Sequence, residues 1–169
     1  MRTWILLLAF LAALYAESAA GLHWTAPANW KSEGARPMRA ATYNIPPAPG
    51  DRDNAECAVY FFGAGQGGSV EANIDRWKGQ FRQPANAQVG KRTIHGMPVA
   101  TIDISGEYSG MGGPMTGEKT VKPGYRLLGA IVEGPGGNVF LKFTGPAKTI
   151  AANQQKFEQL LASFDKEQK

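Results

Sequence analysis

Apolar positions in this chain repeat at two different spacings. Two segments carry them at helical spacing, and the remaining patterned stretches read as strands. Met38 to Ile45 alternates, with Arg39, Ala41, Tyr43 and Ile45 on one face by the two-residue period. Cys57 to Phe62 is apolar on both faces, as is Tyr125 to Glu133, so both are expected to be covered above and below. Leu22 to Ala26, Lys91 to Ile94, Met97 to Ile104 and Val139 to Phe143 complete the strands. His95-Gly96 and Gly134 to Asn138 join neighbours as turns, and Gln83 to Val89 reads as a connector. The first helix is expected from Ser69 to Phe81. Ser69 caps it, and Val70, Ile74, Trp77 and Phe81 form its buried stripe. The last helix opens at Thr144-Gly145-Pro146, with Pro146 at the first helical position and Ile150, Phe157, Leu160, Leu161 and Phe164 facing inward.

The resulting order is β-β-β-α-β-β-β-β-α, which places the chain in the α+β class. Short turns between consecutive strands imply a mostly antiparallel sheet of about six or seven strands, covered by the two helices on opposite sides. Cys57 to Phe62 is expected at the centre of that sheet. There is no internal repeat and no second domain.

The N-terminus changes the picture of where this domain works. Arg2 is followed by 12 largely apolar residues, Trp4 to Tyr15, and then by the small residues Ser18-Ala19-Ala20. Twelve residues are too few to cross a bilayer, which takes about 20. Residues 1–20 therefore read as a signal peptide and residues 21–169 as a single domain, secreted or periplasmic, with no membrane span after signal removal. Cys57 is the only cysteine, so no intramolecular disulfide can form. Its apolar strand favours a buried structural role over a reactive or intermolecular thiol.

Net charge is +4, yet the basic residues are scattered. No run of like charge marks a nucleic-acid or membrane tail, and no nucleic-acid partner is expected.

The candidate chemistry is sparse. Gly63, Gly65 and Gly68 spell G-x-G-x-x-G between a strand and a helix. A dinucleotide site also needs an acidic residue about 20 positions on, at the end of a second parallel strand. Phe81 to Gln88 contains none, and no P-loop lysine follows the glycines. A plain strand-to-helix loop is the expectation, with a small anion at the Ser69 helix N-terminus as the alternative. Asn73 and Arg76 lie three apart on one helical flank, with Gln80 next along. Arg76 there can fork a carboxylate, either on a ligand or on this protein.

His23, His95, Met97, Met111, Met115 and Cys57 lack any metal-ligand spacing, so no metal or other cofactor is expected. No catalytic residue can be assigned. His95, Asp103 and Glu107 are the one constellation that can be named; Asp103 and Glu107 flank the long loop and read equally well as a surface pair. The longest irregular stretch, Ser105 to Gly124, bears Tyr108, Met111 and Met115 and is rich in glycine. Binding residues concentrate on loops of this kind.

Two phrases carry a resemblance. Pro27-Ala28-Asn29-Trp30 follows the first short strand, and VFLKFTGP, Val139 to Pro146, leads into the final amphipathic helix. With the element order, they resemble the PsbP-like α/β/α sandwich, named for an extrinsic subunit of photosystem II. The block GQGGSVEANIDRWKGQF resembles that of uncharacterised exported bacterial proteins of similar length. The resemblance implies a fold, an extracytoplasmic address, and a binding or assembly role rather than catalysis. It carries over no functional residue.

The expectation is therefore an exported, non-enzymatic binding or assembly domain, with Ser69, Asn73, Arg76 and Tyr108 as candidate ligand residues. Its partner would be another envelope or secreted protein, or a small anionic ligand. The alternatives are a small extracytoplasmic hydrolase or isomerase, and a structural envelope protein.

Overall fold

The computed structural model describes residues 16–110 and 121–168. Its main element is a seven-stranded antiparallel sheet. In sequence order the strands are β3 (Lys31–Ser32), β4 (Arg39–Ile45), β5 (Ala55–Tyr60), β6 (Asn86–Ile94), β7 (Met97–Tyr108), β8 (Lys122–Gly134) and β9 (Gly137–Pro146). In space they run β3-β4-β5-β9-β8-β7-β6. A small antiparallel sheet, β1 (Ala16–Ala19), β2 (Leu22–Thr25) and β10 (Asp165–Lys166), packs beside it. The helices are α1 (Val70–Lys78) and α2 (Ala147–Ala162).

The two-residue period sorts side chains onto two faces. Cys57, Val59, Leu128, Ala130, Val132, Leu141 and Phe143 point towards α2, whose Ile150, Phe157, Leu160 and Leu161 meet them in one continuous core. Trp30, from the Pro27–Trp30 phrase, is buried there against Tyr43 and Phe143 and donates from Nε1 to Asn153 Oδ1 at 3.3 Å. Trp24 stacks on Phe164 with centroids 4.9 Å apart. Ile102, Ile104, Leu127, Ile131 and Phe140 point the other way, towards Ile74 and Trp77 of α1. The helices thus lie on opposite sides, as the doubly apolar strands imply.

Several expectations need correction. The middle strand is β9; β5 lies next to it. The expected connector Gln83–Val89 is largely strand, because β6 begins at Asn86. Its side chains are exposed on both faces, so it carries no hydrophobic period to read. The Ser105–Gly124 stretch is shorter than expected at both ends, since β7 runs to Tyr108 and β8 starts at Lys122. Met111 and Met115 lie outside the described residues. Pro146 is the residue before α2 rather than its first, and has no side-chain cap to offer. Asp51 supplies the cap instead, accepting from the Thr149 backbone N–H at 2.9 Å and from its hydroxyl at 2.6 Å.

The turn at Ala20-Gly21, where the leader is expected to end, joins β1 to β2. Cleavage there would remove β1 and the Glu17 carboxylate that accepts from Trp24 Nε1, while leaving the seven-stranded sheet complete.

Candidate functional site: a cationic, aromatic-walled cavity under the first helix

Nine residues of α1 span about 13 Å, whereas seven strands spread over about 29 Å. The helix therefore covers the β7–β8 side and leaves part of its face open over β4, β5 and β9. Trp77 lies directly on the backbone of β8. A Cβ added to Gly129 would meet Trp77 Cζ3 at 2.6 Å, so only glycine permits this approach. Gly129 is the register partner of Lys142 on β9, and Lys142 is in turn paired with Ala58 on β5.

A cavity of about 290 Å³ occupies the open area. Tyr60, Phe62, Trp77 and Phe140 form its walls, and Arg39, Arg76 and Lys142 bring positive charge to it.

Each cation is aimed by a different local device. Alternation would send Arg39 to the α2 face with Ala41. A β-bulge between Arg39 and Ala41 reverses it, because those two residues pair with the consecutive Tyr60 and Val59. The Arg39 guanidinium then lies 5.2 Å from the Tyr60 ring centre and 3.0 Å from a Glu56 carboxylate oxygen. That contact pairs the charges without an aligned hydrogen bond, and Nη1 has no hydrogen-bond partner.

Arg76 reaches in from α1 and donates from Nη2 to Asn73 Oδ1. Asn73 is 1 % exposed, and its Nδ2 donates to the carbonyls of Gly67 and Ser69, both at 2.8 Å. Lys142 projects from the central strand and donates to the Tyr108 hydroxyl at 2.9 Å. Burial is the main cause that pushes its ammonium down to about 8. Arg39 and Arg76 act in the same direction, and Glu56 opposes them. Burial also raises the phenols of Tyr60 and Tyr108, which keeps both protonated at neutral pH.

Of the four sequence-derived candidates, Arg76 lines the cavity, while Asn73 and Tyr108 stand immediately behind its cations. Ser69 does not join them. It caps α1, accepting from the Ala72 N–H at 3.1 Å, and borders a separate groove of about 440 Å³. That groove carries Glu71 and Glu133 against Lys91 and Arg92, so its charges offset one another.

The glycine loop is a packing device. A Cβ on Gly67 would meet Phe62 at 2.7 Å and Phe140 at 2.8 Å, and Gly67 holds φ +92°. The loop thus presses on the cavity wall. The binding loop expected at Ser105–Gly124 keeps one link to the site, because its flanks, Tyr108 and Lys122, pair with each other beside Lys142. Lys122 donates to Asp53 at 3.2 Å, and Tyr125 donates to the same carboxylate at 2.6 Å.

Sequence reasoning missed Arg39, Tyr60, Phe62, Phe140 and Lys142 as site residues, and named Gln80 only as the next residue along the Asn73–Arg76 flank. The one signal available was Lys142 itself, a lone charge in the apolar strand VFLKF. His95, Asp103 and Glu107 do not converge. His95 Nδ1 lies 2.7 Å from the Phe164 carbonyl, Asp103 forms a two-pronged pair with Arg126 at 2.8 and 2.6 Å, and Glu107 faces Arg82 at 3.7 Å. Cys57 is fully buried, and burial raises its thiol well above the usual range, which is the inert environment its strand implies.

No protein-family model matches the sequence, and no curated protein matches it. Solved structures do. A Pseudomonas aeruginosa protein of unknown function superposes with a TM-score of 0.52 at 10% identity, over 88% of this chain and 94% of that one. The cyanobacterial PsbP of Synechocystis sp. PCC 6803 superposes with a TM-score of 0.51 at 13% identity, over 90% of each chain. At such identity the likeness is one of fold, and the fold is PsbP-like.

Proposed function

We propose that this chain is an exported, non-enzymatic binding domain, that its ligand seat is the cavity under α1, and that the ligand is a small organic anion. One observation carries this reading. Arg39, Arg76 and Lys142 converge on a single aromatic-walled cavity, and Glu56 is the one carboxylate among the described residues that pairs with any of them. Holding like charges together over a site where Arg39 and Lys142 are half-buried is costly unless a counter-charge is supplied. The depressed Lys142 ammonium is the visible cost, and a bound anion relieves it.

The roles follow from position. Arg39 and Arg76 offer planar donor forks to an anionic group, and Lys142 adds a point charge between them. Tyr60, Phe62 and Phe140 receive the apolar body of the ligand. Asn73 holds Arg76 in place, and Tyr108 holds Lys142. Ser69 acts through the helix it caps. Export is supported by the leader pattern of residues 1–20 and by the extrinsic character of the PsbP group. A protein partner would meet the same face, since the stretch after Tyr108 leaves from beside Lys142.

Calorimetric titration with benzoate and phenylacetate, each against its neutral amide, tests the seat. The acids should bind at least about tenfold more tightly than the amides, in line with charge-assisted hydrogen bonds. Arg76→Gln and Lys142→Met should each remove most of that advantage. Equal binding of acid and amide, or no binding of either acid, would overturn the proposal.

A further inference from the structure

We infer that β6 is a self-association edge: a second copy of this chain lays its own β6 antiparallel against it, across a two-fold axis at Val89, and joins two seven-stranded sheets into one. This association does not depend on the anion seat. The two ends of the sheet differ. β3 closes one end with two residues, and so short a strand blunts an edge against further pairing. β6 closes the other with nine residues that pair with β7 without a register shift from Asn86 to Ile94. It holds no proline and no bulge. Its residues are exposed on both faces as far as Thr93, so neither helix obstructs a strand laid beside it.

The hairpin turn decides which backbone groups face outward. His95 and Gly96, at φ +46° and +75°, form a two-residue turn, and the pair flanking such a turn, here Ile94 and Met97, exchanges hydrogen bonds. Alternation then aims the N–H and C=O groups of Arg92, Gly90 and Gln88 at β7. Those of Thr93, Lys91, Val89 and Ala87 point away, where the sheet has no further strand.

Charge and burial select the axis. Arg92 is paired with Glu158 of α2 at 2.6 Å, which leaves Lys91 as the charge of β6 outside an ion pair among the described residues. An axis at Lys91 would set two ammoniums directly opposite each other, a destabilising cross-strand pair. With the axis at Gly90 they stand two residues apart along the strands, about 7 Å, which is inside the screening length of about 8 Å. An axis at Val89 separates them by four residues, about 14 Å, and sets each Lys91 opposite Ala87 of the other copy.

The same axis lays Val89 on its own counterpart. Val89 is 52 % exposed, the one large hydrophobic side chain of β6 left in water, and its register partner is Ile102 of the α1-side core. Pairing Ala87, Val89 and Lys91 with Lys91, Val89 and Ala87 of the second copy makes about six backbone hydrogen bonds. Only the two-residue β3 edges then remain, so assembly closes at two copies.

Sedimentation velocity between about 10 µM and 1 mM should show a monomer–dimer equilibrium, weak as an interface one strand wide implies. Val89→Lys and Val89→Glu, at an exposed position, should each weaken the dimer at least about tenfold, because like charges meet at the axis. An equimolar mixture of the two variants should restore it, since unlike charges then meet. Amide exchange read by NMR tests the register: Ala87, Val89 and Lys91 should slow as concentration rises, while Gln88 and Gly90 are slow throughout. A protein still monomeric at about 1 mM overturns the inference, as does a dimer indifferent to both variants or a mixture no stronger than either variant alone. Edge amides that slow only when an alternating Thr-Val peptide is added would give β6 to a foreign strand and overturn it likewise.

Discussion

The two faces of the seven-stranded sheet are covered to different extents. On one, the 16 residues of α2 and the small sheet close over β4, β5, β9 and β8, and the interior is almost wholly apolar. On the other, the 9 residues of α1 stop short, and Arg39, Lys142 and the hydroxyls of Thr42 and Thr144 remain on or beneath the uncovered strands. The Thr42 and Thr144 hydroxyls have no hydrogen-bond partner, although Thr42 is fully buried. The contrast separates two uses of one sheet. Apolar closure under α2 stabilises the fold, and polar groups retained under α1 cost stability and create a site. Proteins tolerate such costs chiefly where function requires them.

Substitutions that act on one face alone should break this contrast. The largest stability loss is expected from Phe157→Ala, which empties the α2 core beside Phe143 and should cost about 3–5 kcal/mol in urea denaturation. Any folded fraction should keep its preference for acids over amides. Gly129→Ala comes next. The added methyl collides with Trp77, so about 1–3 kcal/mol should be lost together with anion binding, because the cavity wall moves.

Lys142→Met should act in the opposite sense. The folded ammonium lies at about 8, below its ordinary 10.5, so the unfolded chain binds more protons between those values. Native stability should therefore rise as pH climbs from about 8 to 10.5, and the full burial penalty, of order 3 kcal/mol, is present below about pH 8. Removing the amine should raise stability at neutral pH, flatten this rise and remove most of the preference for acids over amides. Melting curves at pH 7 and pH 10 check all but the last. The smallest effect belongs to Glu56→Gln. It deletes the exposed competitor for Arg39 and should strengthen benzoate binding by about two- to fivefold, with little change in melting temperature.

Much of the fold was legible because burial leaves a period in the sequence. β5 and β8 are apolar on both faces, and the stripe Ile74, Trp77 and Phe81 is helical up to the Gly79 cap. Elements without such a trace were not. β3 and β10 are two residues each, β1 falls in the stretch read as leader, and β6 is exposed on both faces. Half of the site was visible for the same reason. Arg76 and Asn73 share a helix flank, where spacing predicts adjacency. Arg39 depends on a bulge that moves it to the other face, and Lys142 depends on which strand becomes the middle one. Both are properties of strand pairing, which a single strand does not encode.

The most direct measurement is a nitrogen-detected NMR titration of the Lys142 side-chain amine, with and without saturating benzoate. The free protein should titrate near 8, and bound anion should move the midpoint upward, with proton uptake on binding above pH 8. A Lys142 that titrates at its ordinary 10.5 in the free protein, or one that benzoate leaves unmoved, would contradict the assignment of this cavity as an anion seat.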